Sequence, residues 1–140
     1  KKHTLCKIEH IFETDLISAS LVKYSINTFL ASKVIFFNQL KNIFDASGTE
    51  ENWGAFVEIV SSDDRIGNSH MDVPGHDGRM GFGGACFPKD TAALLRFSQD
   101  LEIEFSLLKQ AIKINNSIRE SYLALDDREK EQSVNFNIEL

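Results

Sequence analysis

The stretch from Leu16 to Ala46 contains neither glycine nor proline, and this most constrains the fold. Its apolar side chains recur at intervals of three and four, the period of an α-helix. Thr14 and Asp15 are typical of a helix start, and Gly48 of a helix end. The pattern predicts one helix over about 15–46, roughly 45 Å long at 1.5 Å per residue. The apolar positions are Val22, Ile26, Phe29, Leu30, Phe36, Phe37, Leu40, Ile43 and Phe44.

A helix of this kind needs cover on more than one side, because further apolar residues lie off the main stripe, at Leu21, Val34 and Ile35. The chain also contains 11 phenylalanines, several of them within this helix. Two interpretations stay open from the pattern alone. The helix is either the central core helix of one chain or a helix shared between two subunits.

The rest of the chain predicts shorter helices around one long loop. Residues 61–85 hold six glycines and a proline among polar residues, and a loop of that length in a compact domain is usually functional or disordered. The predicted fold is therefore mainly α, with a helical domain over 15–125. A lead-in segment over 1–14 precedes it, and a charged tail, 126–140, follows, which we expect to be loose at its end. The shorter helices are predicted over about 50–60, 88–99 and 106–125.

Composition excludes several classes of protein. The net charge is −6, which argues against nucleic acid as a main partner because phosphate binding needs a basic face. No apolar run approaches the ~18 residues of a membrane span. The first two lysines are not followed by an apolar region, so we expect no signal peptide. The only cysteines, Cys6 and Cys86, make no disulfide framework. We therefore expect a cytoplasmic protein with reduced thiols.

The strongest chemical signal is a glycine-rich run that leads into a cysteine at a predicted helix start. A thiol at that position is activated by the helix dipole and the free backbone N–H groups. Lys89 could add positive potential, and Asp90 could hold a water or a hydroxyl. The alternative for Cys86 is a small buried cysteine in a glycine-rich turn. The run reads Gly81-Phe-Gly-Gly-Ala-Cys86-Phe-Pro-Lys89-Asp90.

Two further candidates lie outside this run. Lys23 and Asn27 are four residues apart, hence on one helix face, where both could meet a developing oxyanion. Arg65 lies in a glycine-bearing loop and suits bidentate recognition of hydroxyls or carboxylates. The alternatives are a solvated lysine with a surface asparagine, and a surface arginine paired with Asp63 or Asp64. The four histidines have no metal-ligand spacing, and there is no G-x-G-x-x-G motif for a dinucleotide.

Taken together, these motifs resemble the central domain of the UDP-glucose/GDP-mannose dehydrogenase family. The helix around Lys23 and Asn27 resembles the family's K-x-x-x-N helix, and the run ending Asp64-Arg65-Ile66-Gly67 resembles its D-x-R-I-G motif. The cysteine run resembles its G-[FY]-G-G-x-C-x-x-K-D signature. The three motifs occur in the family's order across residues 15–116.

The resemblance implies a helical domain similar to the C-terminal domain of 6-phosphogluconate dehydrogenase, with the long helix at the core of a homodimer. It implies a nucleotide-sugar substrate, with UDP-glucose favoured, that two NAD oxidise at C6 to the uronate. NAD would be bound by an N-terminal Rossmann domain, of which the lead-in segment is the end. The chain alone would then be inactive.

The resemblance also implies a role for each residue. Cys86 would capture the aldehyde as a thiohemiacetal and carry the thioester, Lys23 and Asn27 would stabilise oxyanions, and Asp90 would position or activate water. Phe82, Gly83 and Lys89 would bind the sugar, largely through backbone, and Arg65 would reach the site of the neighbouring subunit. The stretch 68–80 is longer than the family pattern predicts. The alternative function is a non-catalytic helical interaction domain that keeps the dimer scaffold.

Overall fold

The long helix is present as α1, Leu16–Ala46, in a computed structural model that describes residues 10–122 and 124–136. Four further helices follow, and the described residues include no strand. The prediction of a mainly α fold built on one long helix is confirmed. The further helices are α2 (Trp53–Ser61), α3 (Phe87–Asp100), α4 (Ser106–Arg119) and α5 (Asp127–Glu131).

Helix α1 begins where the sequence predicts, because Asp15 caps it. The Asp15 carboxylate accepts hydrogen bonds from the backbone N–H groups of Ile17 and Ser18, at 2.9 and 3.0 Å, and from the Ser18 hydroxyl. These bonds, led by the one from the Ser18 hydroxyl, hold the pKa of Asp15 below its usual value. The helix ends at Ala46, and Gly48 follows with a φ of 73°. Both ends are therefore set by local chemistry.

One side of α1 is covered by α3, α4 and the loop between α2 and α3. Leu94, Leu95, Leu108 and Ile112 form a cluster between α3 and α4, with Tyr24 of α1 packed against it. Ala31 and Ile35 of α1 pack with Phe82, and Phe37 packs with Met71 and Val73 of the loop. This covered side of α1 positions the residues of the candidate site.

The other side of α1 carries a stripe of exposed apolar side chains. Its members are 55–67% exposed and are spaced by three, four or seven residues, a heptad-like repeat. Burial against the other residues that the structure describes therefore does not account for the length and apolar content of the helix. We call this set the bare stripe: Val22, Ile26, Phe29, Phe36 and Ile43.

The shorter helices lie close to their predicted positions, except that α2 begins three residues later, at Trp53, and α4 ends earlier. The prediction of a helix to 125 is wrong, because α4 ends at Arg119. Beyond that point Tyr122 turns toward the loop, and its hydroxyl accepts a hydrogen bond from the Met80 backbone N–H at 2.7 Å. The long loop is present, spanning 62–86 between α2 and α3.

Within the charged tail, residues 126–136 pack against the rest of the domain. Asp126 and Glu129 form a capping box at the start of α5, in which each carboxylate accepts from the other's backbone N–H. Glu129 is fully buried, and Phe136 is 7% exposed. Buried contacts hold this segment, and its charged composition does not predict them. The last four residues and most of the predicted lead-in segment lie outside the described residues.

Among the helices of the described residues, none combines the length and the apolar content that crossing a membrane requires.

Candidate active site

Cys86 is the N-cap residue of α3 and is exposed to solvent as a free thiol. Its side chain makes no capping hydrogen bond, whereas its backbone carbonyl accepts from the Asp90 N–H at 2.9 Å. Pro88 stands in the first turn of α3, where its missing N–H costs nothing. The interpretation of Cys86 as a buried turn cysteine is therefore wrong. A reagent or substrate can reach its sulfur.

One turn further along α3, Asp90 is fully buried and brings three predicted site residues together. The Asn27 amide donates to Asp90 Oδ2 at 2.5 Å, and Lys89 Nζ donates to Oδ1 at 2.5 Å. Lys23 Nζ lies 3.8 Å from Oδ2. The structure thus links the K-x-x-x-N helix to the cysteine helix through a single carboxylate. We call Lys23, Asn27, Lys89 and Asp90 the Asp90 cluster.

The Asp90 carboxyl is held in its ionised form by its neighbours in the Asp90 cluster. Burial by itself would raise the pKa of Asp90, but the hydrogen bonds from Lys89 and Asn27 and the charges of Lys89 and Lys23 leave it below its usual value. The hydrogen bond to Asp90 raises the pKa of Lys89. At neutral pH the cluster is therefore an anion surrounded by two cations and an amide. The Lys23 and Lys89 side chains stay 60% and 51% exposed, so their charges also face solvent.

The glycine loop, residues 81–84, is suspended between α1 and α4 by two buried amides. Asn38 Oδ1 accepts from the Gly81 N–H at 2.8 Å, and Asn115 Oδ1 accepts from the Phe82 N–H at 2.7 Å. Both asparagines are at most 2% exposed. Sequence reasoning missed them, although an asparagine on the apolar face of a helix is itself a signal, since a buried amide needs a partner.

Two features of Gly81 disfavour any side chain there: its positive φ and its contact with Asn115. A matched substitution at Gly48 separates the cost of the first from the cost of the second. Its φ is 74°, and an added Cβ would lie 2.7 Å from Asn115 Oδ1, whereas Gly48 has a φ of 73° and open space around it. We expect Gly48→Ala to lower the free energy of unfolding by about 1 kcal/mol, the cost of positive φ. Gly81→Ala should cost about 2–3 kcal/mol, because it also breaks the Asn115 bond. Urea unfolding checks this, and equal losses would contradict it.

Of the predicted sugar-binding residues, Phe82 and Gly83 lie in the glycine loop. The Phe82 ring is buried against Ala31 and Ile35 and meets Phe87 edge-on at 6.2 Å between ring centroids, and the whole residue is only 4% exposed. Phe82 and Lys89 also line a cavity of about 430 Å³. The residues that line this cavity do not include Cys86 or Asp90.

Arg65 is not brought to the Asp90 cluster by any hydrogen bond or ion pair of the described residues. Its guanidinium is 88% exposed and pairs with both carboxylate oxygens of Asp63, as the surface-charge alternative predicted. That bond, with a backbone bond from Arg65, lowers the pKa of Asp63. The loop itself is fixed to α1, because Lys33 Nζ donates to the carbonyls of Ile66 and Gly67 at 2.9 and 3.2 Å. Sequence reasoning also missed this role of Lys33.

Neither a metal nor a dinucleotide finds a site in the part of the chain that the structure describes. No three of its His, Cys, Asp and Glu residues come together as ligands for an ion. A dinucleotide fold would need a strand that leads into a glycine-rich turn and helix, and the described residues contain no strand. They do not fit NAD.

Comparison with known proteins places the motifs in a larger context. Residues 17–117 match the model of the UDP-glucose/GDP-mannose dehydrogenase family, central domain. UDP-glucose 6-dehydrogenase YwqF of Bacillus subtilis is 40% identical over 111 residues, covering 76% of this chain and 23% of the relative. TuaD of the same organism is 37% identical over 109 residues, covering 78% and 22%. AglM of Haloferax volcanii, also a UDP-glucose 6-dehydrogenase, is 34% identical over 115 residues, covering 82% and 25%.

The fold, the Asp90 cluster and these matches define a domain of the nucleotide-sugar dehydrogenase class. The chain belongs to the UDP-glucose/GDP-mannose dehydrogenase family, whose central domain it carries over residues 17–117. The resemblance seen in the three motifs is thereby confirmed. The chain spans about a quarter of the length of the curated relatives it matches.

Proposed function

We propose that this domain supplies the nucleophile and the sugar-binding loop of an enzyme that oxidises the C6 alcohol of UDP-glucose to a carboxylate. The observation that carries the proposal is the position of Cys86, exposed at the start of α3 and one turn from the Asp90 cluster. The substrate is taken from the relatives, all named UDP-glucose 6-dehydrogenases. An exposed thiol at a helix N-terminus beside lysines has the surroundings of a reactive cysteine.

Cys86 acts on the aldehyde stage of the reaction. Its thiolate sulfur adds to the C6 carbonyl carbon, and the carbonyl π electrons move to oxygen, which gives a thiohemiacetal. Loss of hydride from C6 then leaves a thioester. Water attacks the thioester carbon, the carbon–sulfur bond breaks, and the carboxylate leaves with the thiol restored. The two hydrides released, one from the alcohol and one from the thiohemiacetal, would need an acceptor, which NAD held by another domain would supply.

Lys23 and Asn27 meet the negative charge that develops on the C6 oxygen. The Lys23 ammonium lies 3.8 Å from Asp90, which orients it. The side chain is 60% exposed, so the ammonium can still donate hydrogen bonds to a substrate. The Asn27 amide has a second N–H available beyond the one given to Asp90. Preorganised donors of this kind stabilise an oxyanion without reorganising during the reaction.

Asp90 acts chiefly by positioning its neighbours. A fully buried carboxylate with a lowered pKa is a weak base and is poorly accessible to water. It holds Asn27, Lys23 and Lys89 in fixed positions near the thiol. Of the two roles that the resemblance implies, positioning and activating water, the geometry favours positioning.

The remaining predicted residues bind the sugar. The partly exposed backbone of Gly83 contacts the sugar, and Lys89 supplies a charge from the first turn of α3. Phe82, which is 4% exposed, holds that backbone in place. Arg65 is exposed and, within the part of the chain that the structure describes, pairs only with neighbouring Asp63, so it is available to the site of a second subunit.

We further propose that the bare stripe of α1 is the interface of a homodimer. Five apolar side chains in a heptad-like row on a 31-residue helix suit packing against a copy of the same helix. An exposed apolar surface of this extent on a monomer marks an interaction site. The interface would explain why the helix is apolar on two sides.

The dimer predicts a concentration-dependent mass. In sedimentation at micromolar concentration the 15.8 kDa chain should behave as a particle of twice that mass. Phe29→Glu places a charge in the middle of the bare stripe and should shift the chain to monomer. Leu107→Glu is the matched control, because Leu107 is 71% exposed but lies on α4. A monomeric wild-type chain, or equal effects of the two variants, would count against the interface.

The experiment that tests the enzymatic proposal is an assay of NADH formation from UDP-glucose. The enzyme that joins this domain to a nucleotide-binding domain should form two NADH per UDP-glucose, and the 140-residue chain alone should form none. One NADH per sugar would mean that the reaction stops at the aldehyde. It would remove the covalent role of Cys86.

A further inference from the structure

We propose that Arg119 and Glu129 are positioning residues of the substrate site: their buried ion pair fixes the glycine loop and, through it, the approach to Cys86. Both lie outside the residues that match the family model, 17–117. The functional meaning rests on the proposed function, because the loop matters for catalysis only if it binds the sugar. The pair itself is a feature of the structure.

Arg119 joins three parts of the chain at the C-terminal end of α4. Its Nη2 donates to Asp77 Oδ2 at 2.7 Å and to the Gly81 carbonyl at 3.2 Å. Its Nη1 lies 3.4 Å from Glu129 Oε1. The side chains of Arg119 and Glu129 are 2% and 0% exposed. A buried arginine between two carboxylates and a loop carbonyl fixes that carbonyl, since every alternative leaves charge unpaired in the interior.

Gly83 lies directly against this ion pair. A Cβ at Gly83 would collide with Glu129 Oε1 and with Nη2 and Cζ of the Arg119 guanidinium. The absence of a side chain at Gly83 is therefore required by the pair beneath it, in addition to any contact with a sugar above. The backbone of the glycine loop thus packs directly against the Arg119–Glu129 ion pair.

A second arginine, Arg79, also contacts Glu129 and the segment between α4 and α5. Arg79 Nη1 donates to the Ala124 carbonyl at 2.7 Å and lies 3.7 Å from Glu129 Oε2. The Arg79 guanidinium also stacks over the Tyr122 ring at 5.1 Å. Glu129 is consequently shared by two arginines that flank the glycine loop, one from the preceding loop and one from α4. Arg119, Tyr122 and Ala124 thereby contact the loop that leads into α3.

The test removes the charge of Glu129 and keeps its hydrogen bond. Glu129 Oε2 accepts from the Asp126 N–H at 2.8 Å, and Glu129→Gln retains an oxygen for that bond. Glu131→Gln is the matched control, because Glu131 is exposed on the same helix. Amide hydrogen exchange of the 140-residue chain is read at Gly81 and Phe82, whose N–H groups report the seating of the loop. Residue-resolved alkylation by iodoacetamide reports access to Cys86.

We expect Glu129→Gln to speed exchange at Gly81 and Phe82 by about tenfold or more, and to change the alkylation rate of Cys86, while amides in the middle of α1 exchange at the wild-type rate. Glu131→Gln should change none of these. Unchanged exchange at Gly81 and Phe82 would overturn the proposal. Equal acceleration throughout the chain would also overturn it, because the pair would then support only the fold.

A second variant covers the case in which Glu129→Gln does not fold. Asp77→Asn removes the partner of Arg119 that is 29% exposed, and the same local acceleration is expected and read in the same way. Neither readout requires turnover or NAD. A failure of the enzymatic proposal would therefore leave these exchange results intact, and a failure here would leave the role of Cys86 untouched.

Discussion

Replacing Cys86 with serine should lower uronate formation from UDP-glucose by about three orders of magnitude or more, because a hydroxyl is a far weaker nucleophile than a thiolate and no thioester can form. The measurement is uronate formation and NADH release by the enzyme that carries this domain. Oxidation of the alcohol to the aldehyde does not need the sulfur. Aldehyde should therefore accumulate in the variant.

Cys6→Ser is the matched control, since it removes the chain's other thiol and should leave uronate formation unchanged. The isolated chain offers a second reading. Iodoacetamide should label Cys86 readily, because the side chain is exposed and makes no hydrogen bond at the cap of α3. Normal uronate formation by Cys86→Ser would exclude covalent catalysis at this residue, however reactive the thiol proves to be.

Replacing Asp90 with alanine should impair both the stability of the domain and the activity of the enzyme. The substitution leaves the Asn27 amide without its partner and places Lys23 and Lys89 next to each other without a counter-charge. We expect the free energy of unfolding to fall by about 1–3 kcal/mol, less than for a fully buried ion pair because both lysines are half exposed. Denaturant unfolding at pH 7 measures it. Asp45→Ala, which removes an exposed partner of Lys41, should cost less than about 0.5 kcal/mol.

The same carboxylate gives the stability a defined pH dependence. Because the folded-state pKa of Asp90 lies below its unfolded value near 3.8, its stabilisation is fully present above that unfolded pKa. It is lost as the pH falls through the lower, folded-state pKa. The stability difference between wild type and Asp90→Ala should therefore be constant from about pH 5.5 to pH 7 and shrink below about pH 4. A difference that grew on acidification would contradict the assignment.

Local patterns were sufficient to predict α1 and the position of Cys86. The helix follows from thirty-one residues of helical period with a capping aspartate, and the thiol follows from glycines that lead into a helix start. The i, i+4 spacing of Lys23 and Asn27 placed them on one face, but only the fold shows that Asp90 is their common partner. That contact spans 63 positions in the sequence, and no local pattern encodes it.

The residues that escaped prediction act through burial. Asn38 and Asn115 read as ordinary polar positions in helices, and Glu129 lies in a run of charges that is usually solvated. Each is at most 2% exposed. The two asparagines accept from backbone N–H groups of the glycine loop, and Glu129 pairs with arginines. A charged sequence predicts solvent exposure only when no neighbouring segment offers partners. Arg79 and Arg119 are those partners for Glu129.

The spacing of Asn27 and Asn38 along α1 sets the distance between the two points at which α1 holds the site. The two amides are eleven residues apart, about three turns and 16 Å. One holds the carboxylate of α3 and the other the Gly81 N–H of the loop that leads into α3. Adding or deleting a single residue between them would rotate one amide by about 100° and detach either the cluster or the loop. The phase of this helix, and not only its length, is thus fixed by the chemistry on its covered side.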